Sequence, residues 1–233
     1  MKNTELCGCI CQKLGLLWFL LGLQCKPYHF MAVDEEGDEV IKEGDVHLSH
    51  GRVSGLYAHN FLRSLHGVPP LNWDPELAKQ AKEWARELAQ SGKLRHTDFS
   101  EEFSDNLYLY YGTDKAAAAY HAVHKWYSQI KKYPFDTHEL KSEHWMTNAF
   151  SAVVWDEVQF LGMGISHHNG TKESYVVARY SPRPNVGNYE EHVKPQLQHK
   201  VGNKNDIHIP PIEDLVPPSF TKDKEKLSRS YHQ

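Results

Sequence analysis

The chain has 233 residues, of which 40% are hydrophobic and 24% are charged, and its formal net charge is −4. This length allows one domain with extensions, and the composition is ordinary for a protein with a sizeable buried core. The small negative charge gives no reason to expect a nucleic-acid partner, and no GxxxxGK(S/T) phosphate-binding loop occurs. The sixteen histidines are scattered without a recognised metal-binding spacing, so we expect most of them to be solvated or structural.

The amino-terminal segment combines clustered cysteines with a short apolar run. Residues 14–23 read LGLLWFLLGL, about half the length that crosses a bilayer as a helix but suited to the core of a signal peptide. We therefore predict a signal peptide over residues 1–25 and a secreted, extracellular protein. The alternative is a full-length protein on the cytosolic face of the Golgi or another membrane, held there by S-acylation of Cys7, Cys9 and Cys11.

The tripeptide Asn169-Gly170-Thr171 bears on that choice, because an Asn-x-Thr sequon is glycosylated only in the secretory pathway. Asn169 is therefore a glycosylation candidate and favours secretion. Asn-Gly is also the preferred two-residue turn of a β-hairpin, which gives the same residues a purely structural explanation. All four cysteines precede residue 26, so cleavage would leave the mature chain without a disulfide.

The first elements in chain order are an acidic linker and a helix. Residues 26–48 contain seven acidic side chains without periodicity, which predicts a solvated linker. A helix is predicted over 52–66, with an inward stripe formed by Val53, Leu56, Tyr57, Asn60 and Phe61. Since Asn60 lies on that stripe, its amide has to find hydrogen-bond partners inside the fold.

Two further helices follow. Asp74 as N-cap and Pro75 at the first helical position begin an amphipathic helix that ends at Gly92. A third helix begins near Thr113 or Asp114 and ends before Pro134. Its stripe comprises Ala116, Ala119, Tyr120, Val123, Trp126, Tyr127 and Ile130.

The second half of the chain predicts a short helix and then three strands. The helix covers about 140–150, and the strands cover 152–155, 161–167 and 174–180. The last two strands flank Asn169-Gly170 and are expected to form an antiparallel hairpin, so the whole pattern indicates an α+β layered domain. Residues 198–233 contain few apolar positions and predict a disordered tail.

The motifs between His59 and Leu107 resemble those of a known family. They read His59-Asn60, His66-Gly67-Val68-Pro69-Pro70-Leu71-x-Trp73-Asp74, Gly92-x-Leu94-x-His96 and Asp105-Asn106-Leu107. With Arg179-Tyr180-Ser181-Pro182 further on, they resemble the CAP superfamily of cysteine-rich secretory, antigen 5 and pathogenesis-related 1 proteins. The following Tyr189-Glu190-Glu191-His192-Val193 and the lack of cysteines after residue 25 resemble its Golgi-associated branch. The resemblance implies a CAP-type α-β-α sandwich, with an antiparallel sheet between helical layers, over residues 49–197.

Family members typically place two histidines and two acidic residues around a central cleft, where some bind zinc. By resemblance, His96 and Asp105 occupy the first histidine and first acid positions. Gln129 and Ala149 stand where the second acid and the second histidine are usual. Zinc needs at least three nitrogen, sulfur or carboxylate ligands, so we predict a degenerate site with no metal and no cofactor.

A hydrolase is a further hypothesis for the same cleft. His96 as a base, oriented by Asp105, would activate a serine, but no GxSxG nucleophile elbow supports this chemistry. The candidate nucleophiles are Ser104, Ser128 and Ser151. Aromatic residues are also expected around the cleft, with the tyrosines in an exposed loop and the tryptophans packed in the core: Tyr108, Tyr110, Tyr111, Trp126 and Trp145.

We therefore predict a non-enzymatic, secreted CAP-domain protein that recognises a protein partner or holds a lipid or sterol. The resemblance implies both kinds of ligand, and the sequence does not choose between them. The alternatives are a membrane-peripheral Golgi-type scaffold with an acylated amino terminus, and the divergent hydrolase. The identity of the partner and the oligomeric state are left open by the sequence.

Overall fold

The computed structural model describes residues 50–135, 144–198 and 207–218. The predicted signal peptide and acidic linker lie outside these residues, and so do the acylation candidates Cys7, Cys9 and Cys11. Residues 199–206 and 219–233 of the predicted tail also lie outside them.

Within the described residues, the chain forms five α-helices and one four-stranded sheet. In chain order they are α1 (His50–Leu65), β1 (Asn72–Trp73), α2 (Pro75–Ser91), β2 (Ser104–Tyr111), α3 (Lys115–Tyr127), α4 (Asn148–Val154), β3 (Phe160–His167), β4 (Glu173–Ser181) and α5 (Tyr189–His192). Short 3-10 helices cover Ser128–Lys132, His144–Thr147 and Ile212–Leu215.

The sheet has the strand order β1-β3-β4-β2, which places β2 at one edge. The three long strands are antiparallel, as predicted, and the two-residue β1 is added in parallel to β3. The predicted hairpin of β3 and β4 is confirmed, but its connection covers residues 168–172 and is longer than a two-residue turn. Thr171 N–H closes a turn onto the His168 carbonyl, and Gly170 supplies the positive φ of 81° that the turn requires.

Helices cover both faces of the sheet, which confirms the predicted α-β-α sandwich. Alternate residues of a strand point to opposite faces. Tyr175 and Val177 of β4 therefore pack with α2, in a cluster that includes Ala81, Ala85 and Leu88. The alternate residues of β4 face the opposite side, where they pack in the larger cluster with α1, α3 and α4. These residues are Val176, Ala178 and Tyr180.

Two glycines of β3 allow α2 to lie directly on the sheet. A Cβ atom placed on Gly162 would lie 2.2 Å from the backbone nitrogen of Ala78, and one on Gly164 would lie 2.2 Å from that of Lys82. No side chain fits at these separations, because real Cβ atoms do not approach backbone atoms so closely. The close contact of helix and sheet therefore depends on glycine at both positions.

The ends of α2 follow the sequence signals. Asp74 Oδ1 accepts a hydrogen bond from Leu77 N–H at 2.9 Å, Pro75 is the first helical residue, and Gly92 ends the helix with φ of 64°. An N-cap side chain satisfies one of the backbone N–H groups that have no partner within the helix. The predicted caps are therefore confirmed at both ends.

We expect Asp74→Ala to lower the free energy of unfolding by about 0.5–2 kcal/mol, because it removes this cap. The matched control is Asp74→Asn, which retains an acceptor oxygen and should lose clearly less. Urea denaturation of both variants measures the difference. Equal stabilities for Asp74→Ala and the wild type would show that Asp74 does not stabilise the start of α2.

Two elements differ from the sequence prediction in type. Residues 152–155 were expected to form a strand, but 152–154 end helix α4, which is buried from Phe150 to Val154. A helix buried on all sides shows no amphipathic period, and its β-branched valines resemble a strand. Conversely, Ser104–Tyr111 forms the edge strand β2, so Tyr108, Tyr110 and Tyr111 lie on a strand and not in a loop.

The buried face of α1 also differs from the predicted stripe. Leu56, Tyr57, Asn60 and Phe61 are half-buried at its sides. Five residues form the fully buried face: Ser54, Ala58, His59, Leu62 and Arg63. The amide of Asn60 does find partners, since its Oδ1 accepts from Leu71 N–H at 2.7 Å and its Nδ2 donates to the Leu71 carbonyl at 3.1 Å.

Residues 207–218 pack against the domain, which corrects the expected disorder for this part of the tail. Ile212, Leu215 and Val216 are buried in the same cluster as the core residues of α1 and α3. Gln196 fixes the beginning of the segment, because its amide exchanges two hydrogen bonds with the backbone of His208. Ile212, Leu215 and Val216 follow helical spacing, but over a single turn between two pairs of prolines, which is too short for the sequence pattern to indicate their burial.

Candidate functional site

A cavity of about 480 Å³ opens beside the first half of the edge strand β2. Its wall is formed by β2, the preceding loop, the end of α3 with the following 3-10 helix, the start of α4, and the segment after β4. All four positions that the family resemblance selected line this cavity: His96, Asp105, Gln129 and Ala149. Residues from four separate parts of the chain are therefore brought to one place.

His96 and Asp105 form a hydrogen-bonded ion pair at this site. Nδ1 of His96 contacts Oδ1 of Asp105, and the other carboxylate oxygen accepts from the backbone N–H and the hydroxyl of Thr97, at 3.2 and 2.8 Å. The hydrogen bond to Asp105 raises the pKa of His96 above its ordinary value. Burial pushes the pKa of Asp105 upward, but the hydrogen bonds from His96 and Thr97 outweigh burial and hold that pKa below its usual range.

Gln129 and Ala149 do not complete a metal site. Oε1 of Gln129 already accepts from the backbone N–H of Phe150 at 3.2 Å, and Ala149 presents a methyl group. Both oxygens of Asp105 are engaged by His96 and Thr97. Across the described residues, no cluster of three or more His, Cys, Asp or Glu side chains is placed to hold a metal ion. The residues present therefore do not fit zinc, which needs three or more such ligands.

A network of amides forms another part of the wall, and the sequence prediction missed it. Asn185 accepts from the Ser151 hydroxyl at 2.5 Å and donates to the Asn148 carbonyl at 3.0 Å. Asn148 Oδ1 accepts from the hydroxyl of Tyr189 at 3.0 Å. Asn185 has a positive φ of 66°, which asparagine tolerates better than other residues with a Cβ. Asn185 follows the Arg179-Tyr180-Ser181-Pro182 motif closely, which was the available signal for it.

Arg183 is the second residue of the wall that the prediction missed. Its Nη1 donates to the backbone carbonyls of Ser100 and Phe103, the latter at 3.0 Å. Its guanidinium carbon lies 4.3 Å from the ring centre of Phe99. The ring of Phe99 is 75% exposed, so an arginine and an aromatic face stand together at the mouth of the cavity.

The aromatic residues expected around the cleft are mostly elsewhere. Trp126 lines the cavity, is buried, and donates from Nε1 to the Leu107 carbonyl at 3.0 Å. Tyr108, Tyr110 and Tyr111 follow the cavity-lining half of β2 and do not line it. The side chain of Trp145 lies outside the described part of the structure.

An α-β-α sandwich with a His–Asp pair in a cavity at the sheet edge defines a CAP-type module. A family model described as the cysteine-rich secretory protein family, CAP, matches residues 56–180 of the chain. The match covers more than half of the sequence, and the chain belongs to this family.

Three individual proteins agree with this assignment. Golgi-associated plant pathogenesis-related protein 1 of Homo sapiens is 37% identical over 148 residues, covering 60% of this chain and 90% of that protein. Secreted protein RBT4 of Candida albicans is 33% identical over 132 residues, covering 56% of this chain and 34% of that protein. The crystal structure of NaASP2 with Zn2+ has the same fold, with a TM-score of 0.52, 20% identity, and coverage of 64% of this chain and 88% of that one.

The names of these relatives place one protein at the Golgi and describe another as secreted. In residues 50–135, 144–198 and 207–218, no helix combines the length and the apolar character needed to cross a membrane.

Proposed function

We propose that the protein is a non-enzymatic recognition module whose cavity receives a polar group of a binding partner. The observation that carries this proposal is the cavity itself, which stays open at about 480 Å³ although two of its four family positions no longer carry ionisable side chains. Concave sites with a few fixed polar groups are the usual places where proteins bind ligands. Loss of the family's metal set therefore changes the chemistry of the site without removing the site.

The lining favours a polar ligand over a lipid or sterol. Ten of the fifteen lining residues are polar or charged. An apolar ring system in this space would remove those groups from water without giving them hydrogen bonds, which is unfavourable for each group. Of the two kinds of ligand that the family resemblance implies, protein recognition is therefore better supported at this cavity.

The serine geometry supports a non-enzymatic role. A nucleophile has to lie within hydrogen-bond reach of its base. The Ser151 hydroxyl is directed to Asn185, and the Ser128 hydroxyl donates to the Lys125 carbonyl at 2.7 Å. Ser104, the third candidate, lines the cavity with His96 but makes no side-chain hydrogen bond to it within the described part of the chain.

Photo-crosslinking tests whether partners bind at the cavity. Phe99 at the mouth and Tyr111 at the far end of β2 are both 75% exposed, so they form a matched pair of probe positions. We expect Phe99→benzoylphenylalanine to give a defined adduct in the medium of expressing cells, and Tyr111→benzoylphenylalanine to give none. Filling the cavity by Ala149→Phe should abolish the adduct. Equal adducts at both positions, or an adduct unaffected by Ala149→Phe, would contradict the proposal.

We also propose that the protein is secreted, with residues 1–25 as a signal peptide, 26–48 as a linker and 49–197 as the CAP domain. Support comes from Asn169, which is exposed at the tip of the β3–β4 hairpin and therefore accessible to glycosylation. The alternative remains a Golgi or cytosolic-face scaffold acylated on Cys7, Cys9 or Cys11.

Intact mass separates the two locations. Secretion predicts a species in the medium that begins near Lys26 and carries a glycan on Asn169. A full-length, unglycosylated species in the membrane fraction, with acyl mass on the cysteines, would overturn secretion in favour of the scaffold.

A further inference from the structure

The orientation of the Gln129 amide is determined by its neighbour. A backbone N–H only donates, so the Gln129 atom that meets Phe150 N–H at 3.2 Å has to be the oxygen. The Nε2 amino group is then the end of the side chain that has no hydrogen-bond partner among the described residues. Because Gln129 lines the cavity, this group is available to a ligand. The family's acidic acceptor position therefore carries a donor in this chain.

The hydrogen bonds of the two neighbouring asparagines also fix which end of each amide is engaged. Asn185 donates to the Asn148 carbonyl, which fixes its amino group on that side. Asn148 Oδ1 accepts from the Tyr189 hydroxyl at 3.0 Å, which leaves the Asn148 amino group without a partner in the described chain. Asn148 also lines the cavity, so it supplies a second N–H donor on the wall that Gln129 occupies.

The charged residues that line the cavity differ in whether they have a partner of opposite charge. His96 is paired with Asp105, and this pair is internally balanced. Arg183 lines the cavity, contacts only carbonyl oxygens and an aromatic ring, and has no carboxylate partner within the described residues. The other acid of the lining, Asp98, is exposed on the loop, where water screens its charge. One positively charged residue and two residues with an unpaired amide donor therefore line the same cavity.

We propose that the cavity binds an oxyanion, a carboxylate or a sulfate or phosphate ester carried by the partner, through the N–H groups of Gln129, Asn148 and Arg183. Oxyanions accept several hydrogen bonds at once, and bonds from charged donors to them are about twice as strong as neutral ones. Gln129 stands in place of an acid and Ala149 in place of a histidine, so two metal ligands of the family are absent. The N–H donors that remain in the lining suit an anion. This inference rests on the proposed role of the cavity in recognition and adds the chemical class of the group recognised.

Side-chain and backbone amide resonances of Asn148 and Asn185 in the full chain provide the test. We expect saturable shifts on titration with sodium acetate or sodium sulfate, against sodium chloride at equal ionic strength. A response to acetate points to a carboxylate, and a stronger response to sulfate points to an ester of sulfate or phosphate. Each response supports the proposal.

Variants separate a built site from weak surface binding. Gln129→Glu replaces the donor by a like charge and should weaken binding by about tenfold or more, whereas the exposed Gln90→Glu on α2 should leave it unchanged. Asp98→Asn should tighten binding by removing a like charge at the mouth. Shifts with neither anion, or equal shifts in the wild type and Gln129→Glu, would overturn the proposal. A cavity-dependent adduct at Phe99 in that case would leave recognition standing and refute only the oxyanion.

Discussion

Replacing Arg63 by methionine is expected to lower the free energy of unfolding by about 3 kcal/mol or more. Arg63 is fully buried on α1, and its guanidinium donates only to backbone carbonyls. Nε donates to Pro69 at 2.7 Å, Nη1 to Val153 and Trp155 at 3.0 and 2.8 Å, and Nη2 to Val158 at 3.1 Å. Burial lowers the pKa of Arg63 to about 10, which still leaves it charged at neutral pH.

The loss arises because methionine fills the space but leaves the buried carbonyls of Val153 and Val158 without a donor. The Trp155 carbonyl keeps a hydrogen bond from Val158 N–H at 3.2 Å, and Pro69 is exposed to water. Each unsatisfied buried group costs about 1–3 kcal/mol, and relief from burying the charge offsets part of this sum. The planar fork of arginine reaches all of these acceptors together, so Arg63→Lys should also be destabilised, though less. The exposed Arg86→Met on α2 is the matched control and should be neutral. Denaturant titration of the variants measures the losses, and an Arg63→Met variant as stable as Arg86→Met would contradict this role.

Stability is also expected to fall steeply in mild acid, because two histidines are buried in the neutral form. Nδ1 of His59 lies 2.7 Å from the Gly55 carbonyl, and Nδ1 of His66 lies 2.6 Å from that of Lys194. A carbonyl only accepts, so Nδ1 carries the ring proton in both residues and Nε2 accepts from a tyrosine hydroxyl. Burial lowers the pKa of each histidine to about 4.

The unfolded chain binds these two protons near the ordinary histidine pKa of about 6.5, whereas the folded chain does so only near pH 4. The stabilisation from the neutral rings is thus complete above pH 6.5 and is lost as the pH falls from 6.5 to 4. Between pH 7 and pH 5 the loss is about 2 kcal/mol for each histidine. His96 acts in the opposite direction, because its raised pKa gives stability at low pH that is lost as the pH rises.

Urea denaturation at pH 7, 6 and 5 measures this dependence. We expect His66→Gln to lose stability at pH 7 and to show a pH dependence smaller than that of the wild type by about 2 kcal/mol between pH 7 and pH 5, since the proton uptake of one buried ring is removed. His208→Gln, on an exposed side chain, serves as the control and should follow the wild type. A wild-type stability that is constant between pH 7 and pH 5 would show that the two rings are not held neutral.

Local signals in the sequence predict the ends of α2 correctly. The buried face of α1 was predicted wrongly because it contains polar residues. Asp74 and Gly92 act on backbone groups next to them, so their effect can be read without knowing the fold. The buried face of α1 contains His59 and Arg63, whose partners come from distant parts of the chain. A hydrophobic pattern assigns such polar residues to the surface, and this rotates the predicted stripe.

The site was predictable only where the family resemblance reached. It selected His96, Asp105, Gln129 and Ala149, which line one cavity. Arg183 lines the cavity because the chain after β4 passes beside it. No local sequence pattern indicates that a residue in this segment lies at the cavity. The sequence also could not predict the orientation of the Gln129 amide. This orientation depends on a hydrogen bond from Phe150 N–H, which residue spacing does not reveal.

We predict that the cavity no longer binds zinc, because Gln129 and Ala149 stand in place of two metal ligands. The most direct test is the change of melting temperature when zinc is added. A metal that binds the native state raises the melting temperature, so a site that holds zinc shows a shift at micromolar concentrations. We expect the wild type and His96→Ala to respond alike, whereas Gln129→Glu combined with Ala149→His should gain a zinc-dependent shift of several degrees that requires His96. A wild-type shift of that size that disappears in His96→Ala would show that the cavity binds zinc after all.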